Sequence, residues 1–344
     1  MTKFVLSGYF GFKNFGDEAI LAVLVEKLRT ISGSKITVIS SDPLYTKALY
    51  KDVKSIYTFS ITDIITEIMS SDVVISGGGS LLQDTTSFKS LIYYLLIIFL
   101  GLLAHKKVII FAQGIGPIKN IFGLFLTMQI LRHCSYVSVR DKKSHALLRA
   151  WGIKSDLLCD PIFSTNIESY AKDNDTVIVQ LRDCKNISND FIDRLAQSVC
   201  DNFAGKKLEI LSFQDSYDLD VCKKFEKIVN ILEPSIQTKV FSNLTNREIT
   251  EKISKAQYLV AMRFHAIIIG LLSKTKTLAI NYDIKVEKLA KEFKIPVIDL
   301  KKPFNKEFED LINQNTEKIS KITELKTFDW KGFDSIINSK SEGI

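Results

Sequence analysis

Short apolar runs alternate with longer amphipathic segments along most of the chain, and glycine-rich or polar turns separate them. The first apolar run is Lys3 to Ser7, and the segment from Asp17 to Thr30 follows it with its apolar residues on one helical face. Strands that alternate with helices in this order build a parallel sheet with right-handed crossovers. The predicted strands are apolar on both faces, as in a sheet covered by helices on both sides. The sequence therefore predicts an α/β fold.

The alternation is interrupted once, by a polar segment from Ser164 to Asp175, and a second series of strands and helices follows it. The length of 344 residues also exceeds the usual size of one domain. We therefore predict two doubly wound, Rossmann-like lobes over residues 1–165 and 176–303, whose strand ends can face each other across a cleft. Residues 304–344 are charged and helical in pattern, and we predict that this tail returns towards the first lobe. Among the other predicted elements are strands at 35–40 and 107–113 and helices at 189–203 and 284–293.

Charge and cysteine content argue against several classes of protein. The net charge is +7, but no basic run is interleaved with aromatic residues, so nucleic-acid binding is not favoured. The basic excess fits either a Lys-rich surface or an anionic partner, such as a phosphorylated substrate or a lipid headgroup. The five cysteines include no CxxC pair, which argues against a zinc ribbon and a disulfide framework. We expect a cytoplasmic protein with reduced thiols, no signal peptide and no metal.

One segment, Leu91 to Ala104, contains 14 residues without a charge. A helix that spans a bilayer needs roughly 20 apolar residues, and shorter runs are typical of buried or interfacial helices. A buried or partner-facing helix is the favoured interpretation of this segment. Contact with a membrane surface is the next alternative, and a true membrane span is the least favoured.

Two glycine-rich loops follow predicted strands, and ligands of doubly wound sheets bind beyond the carboxyl ends of strands. The loop from Gly8 to Glu18 lacks both the dinucleotide-binding spacing and the Gly-Lys-Ser/Thr of a P-loop. It is either an acceptor-binding loop or a turn in which Asp17 caps the next helix. In the loop from Ser76 to Asp84, three glycines would let a ligand approach the backbone, although a tight turn without a ligand is the alternative. The candidate acceptor-binding residues of the two loops are Gly11, Asn14, Asp17, Gly78, Gly79, Gln83 and Asp84.

Cationic residues also lie at predicted strand ends. Arg140 closes one strand before Asp141, a predicted helix cap, and Arg182 has the corresponding place in the second lobe. Arg263 and His265 straddle a strand-to-helix junction, and Lys285 follows the next strand. Arginine binds carboxylate or phosphate in a bidentate way and lysine acts as a point charge, so this cluster suits a ligand with two anionic groups.

Seven motifs in this order resemble those of the bacterial polysaccharide pyruvyltransferases, the CsaB-like enzymes. They span most of the chain, from Gly8 to Val286, and read GYFGFKNFGDEAIL, SGGGSLLQD, AQGIGP, VRD, DP, RFHA and YDIKV. One departure is visible, because the family pattern YDPKV has Ile284 in place of proline here, which could loosen the loop before Lys285. The resemblance implies a fold like that of GT-B glycosyltransferases. It also implies phosphoenolpyruvate as the donor and a cell-wall sugar, often N-acetylmannosamine, as the acceptor.

The resemblance also implies roles for individual residues. The family motifs map onto Arg140, Arg263, His265 and Lys285, and we add Arg182 because it also lies at a predicted strand end. Our hypothesis is that Arg140, Arg182, Arg263 and Lys285 hold the phosphate and carboxylate of phosphoenolpyruvate. Arg263, Lys285 and His265 are the predicted catalytic residues, and His265 would protonate the methylene carbon. No cofactor beyond this co-substrate is expected. A lipid-linked acceptor at the inner face of the membrane would fit the apolar helix and the basic charge. Two alternatives stay open: a GT-B glycosyltransferase that uses a nucleotide sugar, and a non-catalytic scaffold that binds a cell-wall precursor.

Overall fold

The computed structural model describes residues 1–184, 187–324 and 326–339. These residues fall into two compact units. The first unit contains Met1–Ser164 together with the described C-terminal residues from Phe328 onwards, and the second contains Thr165–Thr327. Each unit has its own sheet and its own hydrophobic core.

The strands of the described chain, in order, are β1 (Lys3–Ser7), β2 (Lys35–Ser40), β3 (Lys54–Tyr57), β4 (Val73–Ser76), β5 (Lys107–Gln113), β6 (Tyr136–Val139), β7 (Asp156–Leu157), β8 (Asp173–Gln180), β9 (Lys207–Leu211), β10 (Gln237–Phe241), β11 (Ala256–Ala261), β12 (Lys276–Asn281) and β13 (Val297–Asp299). The helices are α1 (Phe15–Arg29), α2 (Pro43–Leu49), α3 (Ile61–Ser70), α4 (Phe88–Leu103), α5 (Ile121–Leu131), α6 (Lys142–Ala150), α7 (Asn189–Phe203), α8 (Asp215–Leu232), α9 (Asn246–Lys255), α10 (Phe264–Leu272), α11 (Ile284–Phe293), α12 (Asn305–Ile312), α13 (Thr316–Glu324) and α14 (Lys331–Asn338). A short 3-10 helix covers Pro161–Ser164.

Both sheets are parallel and share one strand order. The first runs β3-β2-β1-β4-β5-β6-β7 and the second runs β10-β9-β8-β11-β12-β13. Counted from the first strand of each unit, both contain the Rossmann order 3-2-1-4-5-6. The two predicted Rossmann-like lobes are therefore confirmed. The order reverses between β1 and β4 and between β8 and β11, where a doubly wound sheet opens a crevice beyond its strand ends.

The central strands are buried on both faces, which explains why they are apolar without alternation. Leu6 of β1 and Ile75 of β4 are paired in register and are fully buried, as are Val179 of β8 and Val260 of β11. Helices cover both faces of such a sheet, so every side chain of a central strand meets an apolar layer. Burying a side chain of this size contributes about 1.5–3 kcal/mol to stability.

The C-terminal segment is divided between the two units, and this corrects the prediction of a single tail over residues 304–344. Phe304, Phe308 and Leu311 repeat at helical spacing and are buried in the core of the second unit, so α12 belongs there. Only the last described part returns to the first unit. There Phe333 of α14 packs against Phe111 of β5 with ring centres 5.6 Å apart.

Replacing Phe333 by alanine should destabilise the first unit, because this ring is only 1% exposed and no neighbour can fill its space. We expect Phe333→Ala to lower the free energy of unfolding by about 3–5 kcal/mol, measured by urea denaturation. Asn338→Ala, at an exposed position of the same helix, is the matched control and should change it by less than about 0.5 kcal/mol. Equal effects of the two variants would show that α14 does not anchor the C-terminal segment.

Candidate functional site

In the first unit, the loops that follow β1, β4 and β5 are hydrogen-bonded to one another at the carboxyl edge of the sheet. The amide of Gly77 donates to the carbonyl of Ser7 at 2.8 Å, and the amide of Gly114 donates to the carbonyl of Gly79 at 2.8 Å. The two glycine-rich loops singled out in the sequence therefore belong to one site in this unit.

The glycines after β4 are required by the close approach of α1. A Cβ atom on Gly78 would lie 2.4 Å from Cγ2 of Ile20, which no packed structure tolerates. Gly79 has a φ of +81°, and its Cβ would lie 2.7 Å from Oδ1 of Asp17. The structure thus brings Asp17, Gly78 and Gly79 together, and it places a carboxylate beside the glycine turn.

Asn14, rather than Asp17, caps the first helix. Helix α1 begins at Phe15, and Oδ1 of Asn14 accepts a hydrogen bond from the amide of Gly16 at 3.2 Å. The alternative in which Asp17 caps the helix is therefore wrong, because Asp17 already lies in the first turn. Gly11 adopts a φ of +79° and packs against Ser40 so closely that a side chain would clash.

Sequence reasoning missed Glu18, the acidic residue next to Asp17. Its side chain is 1% exposed, and Oε1 accepts a hydrogen bond from the amide of Gly11 at 2.7 Å. Its other oxygen, Oε2, is buried without a hydrogen-bond partner among the described residues. Burial raises the pKa of Glu18 to about 7. The visible signal is a second acidic residue, directly after Asp17 in the sequence FGDEAIL, at a position that faces the core.

Gln83 and Asp84 shape loops with their side chains. Oε1 of Gln83 accepts hydrogen bonds from the amides of Thr85 and Thr86. Oδ2 of Asp84 accepts from the amides of Lys119 and Asn120 at 2.8 and 2.7 Å, and these bonds hold the pKa of Asp84 below its usual value. Both side chains therefore have local backbone partners.

Arg140 connects three loops of the first unit. Its Nη1 lies 2.6 Å from Oδ2 of Asp160, and its Nη2 lies 3.5 Å from Oγ of Ser80. Asp160 is 3% exposed, so this is a buried ion pair between the end of β6 and the Asp-Pro motif. Asp141 caps α6 as predicted, with Oδ1 accepting from the amide of Ser144.

In the second unit, the ends of β8 and β11 are held together by Gln180. Its buried side-chain oxygen Oε1 accepts a hydrogen bond from the amide of Arg263 at 2.7 Å, and its backbone carbonyl accepts one from the amide of Met262 at 3.0 Å. The backbone at the β11–α10 junction is thereby fixed at the point where the strand order reverses.

The guanidinium group of Arg263 is engaged by Asp218, a residue that sequence reasoning missed. Nε and Nη2 of Arg263 donate to Oδ2 and Oδ1 of Asp218 at 2.8 and 2.7 Å, and the Asp218 side chain is fully buried. Oδ2 of Asp218 also accepts the amides of Phe213 and Gln214 at the start of α8. Two of the three guanidinium nitrogens of Arg263 therefore hold α8 to the β11–α10 junction. The visible signal was an acidic residue on the apolar face of a helix.

Arg182, His265 and Lys285 come from the ends of three neighbouring strands, β8, β11 and β12. The guanidinium carbon of Arg182 lies 5.5 Å from the ring centre of Tyr282, and its Nε is buried without a hydrogen-bond partner in the described part of the chain. His265 is the second residue of α10 and is half-buried. Lys285 is exposed in the first turn of α11.

Two helix N-termini point to the same edge of the second sheet. Helix α10 begins at this edge without a side-chain cap, and bare N-terminal amides together with the helix dipole favour an anion. Helix α11 is capped by Asp283, whose Oδ1 accepts from the amide of Lys285 at 2.9 Å. Ile284 is the first helical residue of α11, a position where proline also fits.

The described residues contain no group of three or more His, Cys, Asp or Glu side chains placed to hold a metal ion. Cations and a histidine lie at the strand ends of the second unit. In the first unit, carboxylates lie beside the glycine loops.

Comparison with known proteins gives one family and one fold. A family model described as polysaccharide pyruvyl transferase matches residues 14–284. No curated protein matched the chain. The fold is similar to that of Anabaena HepE in complex with UDP, at 12% identity, 98% coverage of both chains and a TM-score of 0.64. It is also similar to UDP-GlcNAc 2-epimerase from Neisseria meningitidis bound to UDP-GlcNAc, at 12% identity, 94% coverage of both chains and a TM-score of 0.60.

A third similar structure is the lipopolysaccharide outer core galactosyltransferase WaaB. It is 13% identical and has a TM-score of 0.57, with 98% of this chain and 99% of that chain covered. Such likenesses show the GT-B-like fold. Fold alone does not assign a reaction.

Replacing Glu18 by glutamine should change how stability depends on pH. A carboxyl whose folded pKa of about 7 lies above its unfolded value of 4.5 stabilises the fold below pH 4.5, and this contribution is lost as the pH rises through 7. We expect Glu18→Gln and wild type to differ little near pH 5, and the variant to be more stable by about 3 kcal/mol at pH 8. Denaturation across this pH range measures the difference.

The control for this comparison is Glu26→Gln, an exposed position on the same helix. Its stability difference from wild type should stay near zero at every pH. A constant difference between Glu18→Gln and wild type from pH 5 to pH 8 would contradict the raised pKa of Glu18.

Replacing Asp218 by asparagine should leave the charge of Arg263 buried without compensation. Breaking one side of a buried ion pair costs about 3–5 kcal/mol, so Asp218→Asn should lower the urea midpoint strongly. Asp220→Asn, at an exposed position of α8, should leave the midpoint almost unchanged. If Asp218→Asn unfolded at the wild-type midpoint, Arg263 would not depend on this carboxylate.

Proposed function

The chain belongs to the polysaccharide pyruvyl transferase family, and from this premise we propose that phosphoenolpyruvate is its donor. In this proposal the enolpyruvyl carbons are transferred to a sugar of a cell-wall polysaccharide as a pyruvate ketal, and phosphate is released. The observation that carries the proposal is the convergence of cationic residues at the ends of β8, β11 and β12, since phosphoenolpyruvate has a phosphate and a carboxylate in a small volume.

His265 is the proposed general acid. It adds a proton to the methylene carbon of phosphoenolpyruvate, and the neighbouring carbon then accepts a sugar hydroxyl. Phosphate leaves with its bonding electrons, a second hydroxyl of the same sugar closes the ketal, and both hydroxyl protons are lost. Histidine suits this step because its ordinary pKa lies near neutral pH.

The contacts of the cations support different roles for them. Arg182 and Lys285 are the proposed contacts for the donor anions, and the uncapped start of α10 adds its amides. Arg263 is better described as a positioning residue, because its bond to Asp218 fixes the backbone that carries His265. A guanidinium group that is already paired with a buried carboxylate attracts a second anion, such as the phosphate of the donor, less strongly.

We propose that Asp17, Gly78 and Gly79 of the first unit bind the acceptor. A carboxylate beside a glycine turn suits sugar hydroxyls, which donate hydrogen bonds to the carboxylate, and a turn without side chains lets the backbone approach closely. In this proposal Arg140 positions Ser80 beside the same turn. N-acetylmannosamine on a lipid-linked precursor is the proposed acceptor, and the inner face of the membrane is the proposed location.

Thermal unfolding with phosphoenolpyruvate tests the donor before the acceptor is known. A ligand at about 100 times its dissociation constant stabilises the folded state by about 2.7 kcal/mol. We expect this shift in wild type and its loss in Lys285→Ala. The control Lys288→Ala removes an exposed lysine of the same helix and should keep the shift. A shift with UDP-glucose and none with phosphoenolpyruvate would replace the proposal by a nucleotide-sugar glycosyltransferase.

His265→Gln separates catalysis from binding. This variant should keep the shift with phosphoenolpyruvate, and its rate of phosphate release in the presence of acceptor should fall by about 100- to 10,000-fold. Near-normal turnover in His265→Gln would show that another group protonates the methylene carbon.

A further inference from the structure

Three helices of the first unit expose apolar side chains to solvent. We call this surface the apolar face, and its residues are between 41% and 82% exposed. It consists of Ile61, Ile65 and Met69 of α3, Leu96, Phe99 and Leu103 of α4, and Ile121, Phe122 and Phe125 of α5. Monomeric proteins rarely expose apolar side chains in such a group, and when they do the surface usually binds a partner or a membrane.

The apolar face is one surface, because the three helices pack side by side on one face of the first sheet. Inward side chains of all three helices, such as Ile68, Leu95 and Leu131, lie in a single core cluster. Helix α4 contacts both of its neighbours. At the contact with α5, a Cβ atom on Gly123 would come within 3.0 Å of Leu91, so these two helices cross closely.

The first sheet packs against only one side of α4. The apolar character of the opposite side of this helix therefore requires a separate explanation. Leu91, Leu95 and Ile98 are buried against the sheet, whereas Leu96, Phe99 and Leu103 form a second apolar stripe that faces outwards. A helix that is apolar all round is normally buried on all sides. None of the helices in the described part of the chain has the length and apolar character needed to cross a bilayer. The outward stripe of α4 is therefore available for contact with a partner outside the protein.

The charged residues around the apolar face indicate the kind of partner that it binds. No Asp or Glu occurs between Asp84 and Asp141, a stretch that contains both α4 and α5. The acidic residues of the three helices are Asp63 and Glu67 of α3, and Glu67 is paired with Lys54. Cations lie at the helix ends instead, and Lys89, Lys119 and Arg132 are exposed. Exposed Phe and Leu side chains with flanking Lys and Arg match a surface that combines hydrocarbon with negative charge. In a symmetric contact between two copies, these cations of one copy would lie close to the same cations of the other copy and repel them.

We propose that the apolar face binds the surface of an anionic lipid bilayer, with Leu96, Phe99 and Phe122 inserted among the acyl chains and the flanking cations at the headgroups. The inference stands on exposure and charge alone and does not depend on the identity of the donor. In the proposed function, it would bring the first unit to the surface that carries a lipid-linked acceptor.

Co-sedimentation of the full chain with vesicles tests this inference. Wild type should bind vesicles of phosphatidylcholine mixed with phosphatidylglycerol, and should bind phosphatidylcholine alone more weakly. The double variant Phe99→Ser/Phe122→Ser should lower vesicle binding by about tenfold or more, because it removes two aromatic side chains from the inserted set. Lys89→Gln/Lys119→Gln should abolish the preference for phosphatidylglycerol and the weakening of binding by salt.

Leu44→Ser is the matched control, because Leu44 is 82% exposed on α2, outside the apolar face. It should bind vesicles like wild type. All variants should keep the unfolding temperature of wild type and its shift with phosphoenolpyruvate, so a failure of lipid binding is distinguishable from a failure of the proposed reaction. Absence of wild-type binding, or binding unaffected by Phe99→Ser/Phe122→Ser, would overturn the inference. A dimer in light scattering that this double variant dissociates would assign the face to a second copy instead.

Discussion

The parallel pairing of β1 with β4, and of β8 with β11, determines where chemistry can occur in each unit. Parallel strands end at one edge, and the strand order reverses at these two pairs, which is where doubly wound sheets generally bind their ligands. The glycine turns of the first unit and the Arg-Phe-His junction of the second both lie at these points. Neither motif would be near a ligand at the opposite edge of its sheet. The strand order therefore explains why short motifs, separated by long stretches of core, lie at the same edge of their sheet.

The cations at the carboxyl edges of the two sheets are of two kinds, those in buried ion pairs and those that contact other groups. Arg140 with Asp160, and Arg263 with Asp218, satisfy their charges inside the protein and hold neighbouring elements together. Such pairs are expensive to desolvate, so they specify geometry more than they add stability. The guanidinium group of Arg182 lies over the ring of Tyr282, and Lys285 is exposed in the first turn of α11. A single functional motif thus contains residues that build the site beside residues that can meet the ligand.

Much of the fold could be predicted from the sequence, because continuous apolar strands and amphipathic helices have different periods. Strands β1, β2 and β5 and helices α7 and α11 have the bounds that the pattern predicts. Strands β3 and β13 were missed because they are short, and only Ile56 and Ile298 are buried in them. Glu18 and Asp218 were missed because periodicity treats a buried acid as an exposed one. For Gln83 and Asp84, the sequence alone does not reveal the backbone amides that donate hydrogen bonds to their side chains.

The return of the chain to the first unit affects the order in which the protein can be completed during synthesis. The second unit is one continuous stretch, and all of its residues have been made before the chain reaches Phe328. The first unit has its sheet early, but the aromatic cluster around Phe111 needs Phe328, Trp330 and Phe333. On the ribosome, the unit that begins first therefore finishes last. Until these three residues have been made, Phe111 lacks the aromatic rings that cover it, so the core of the first unit is completed only after the second unit has been synthesised.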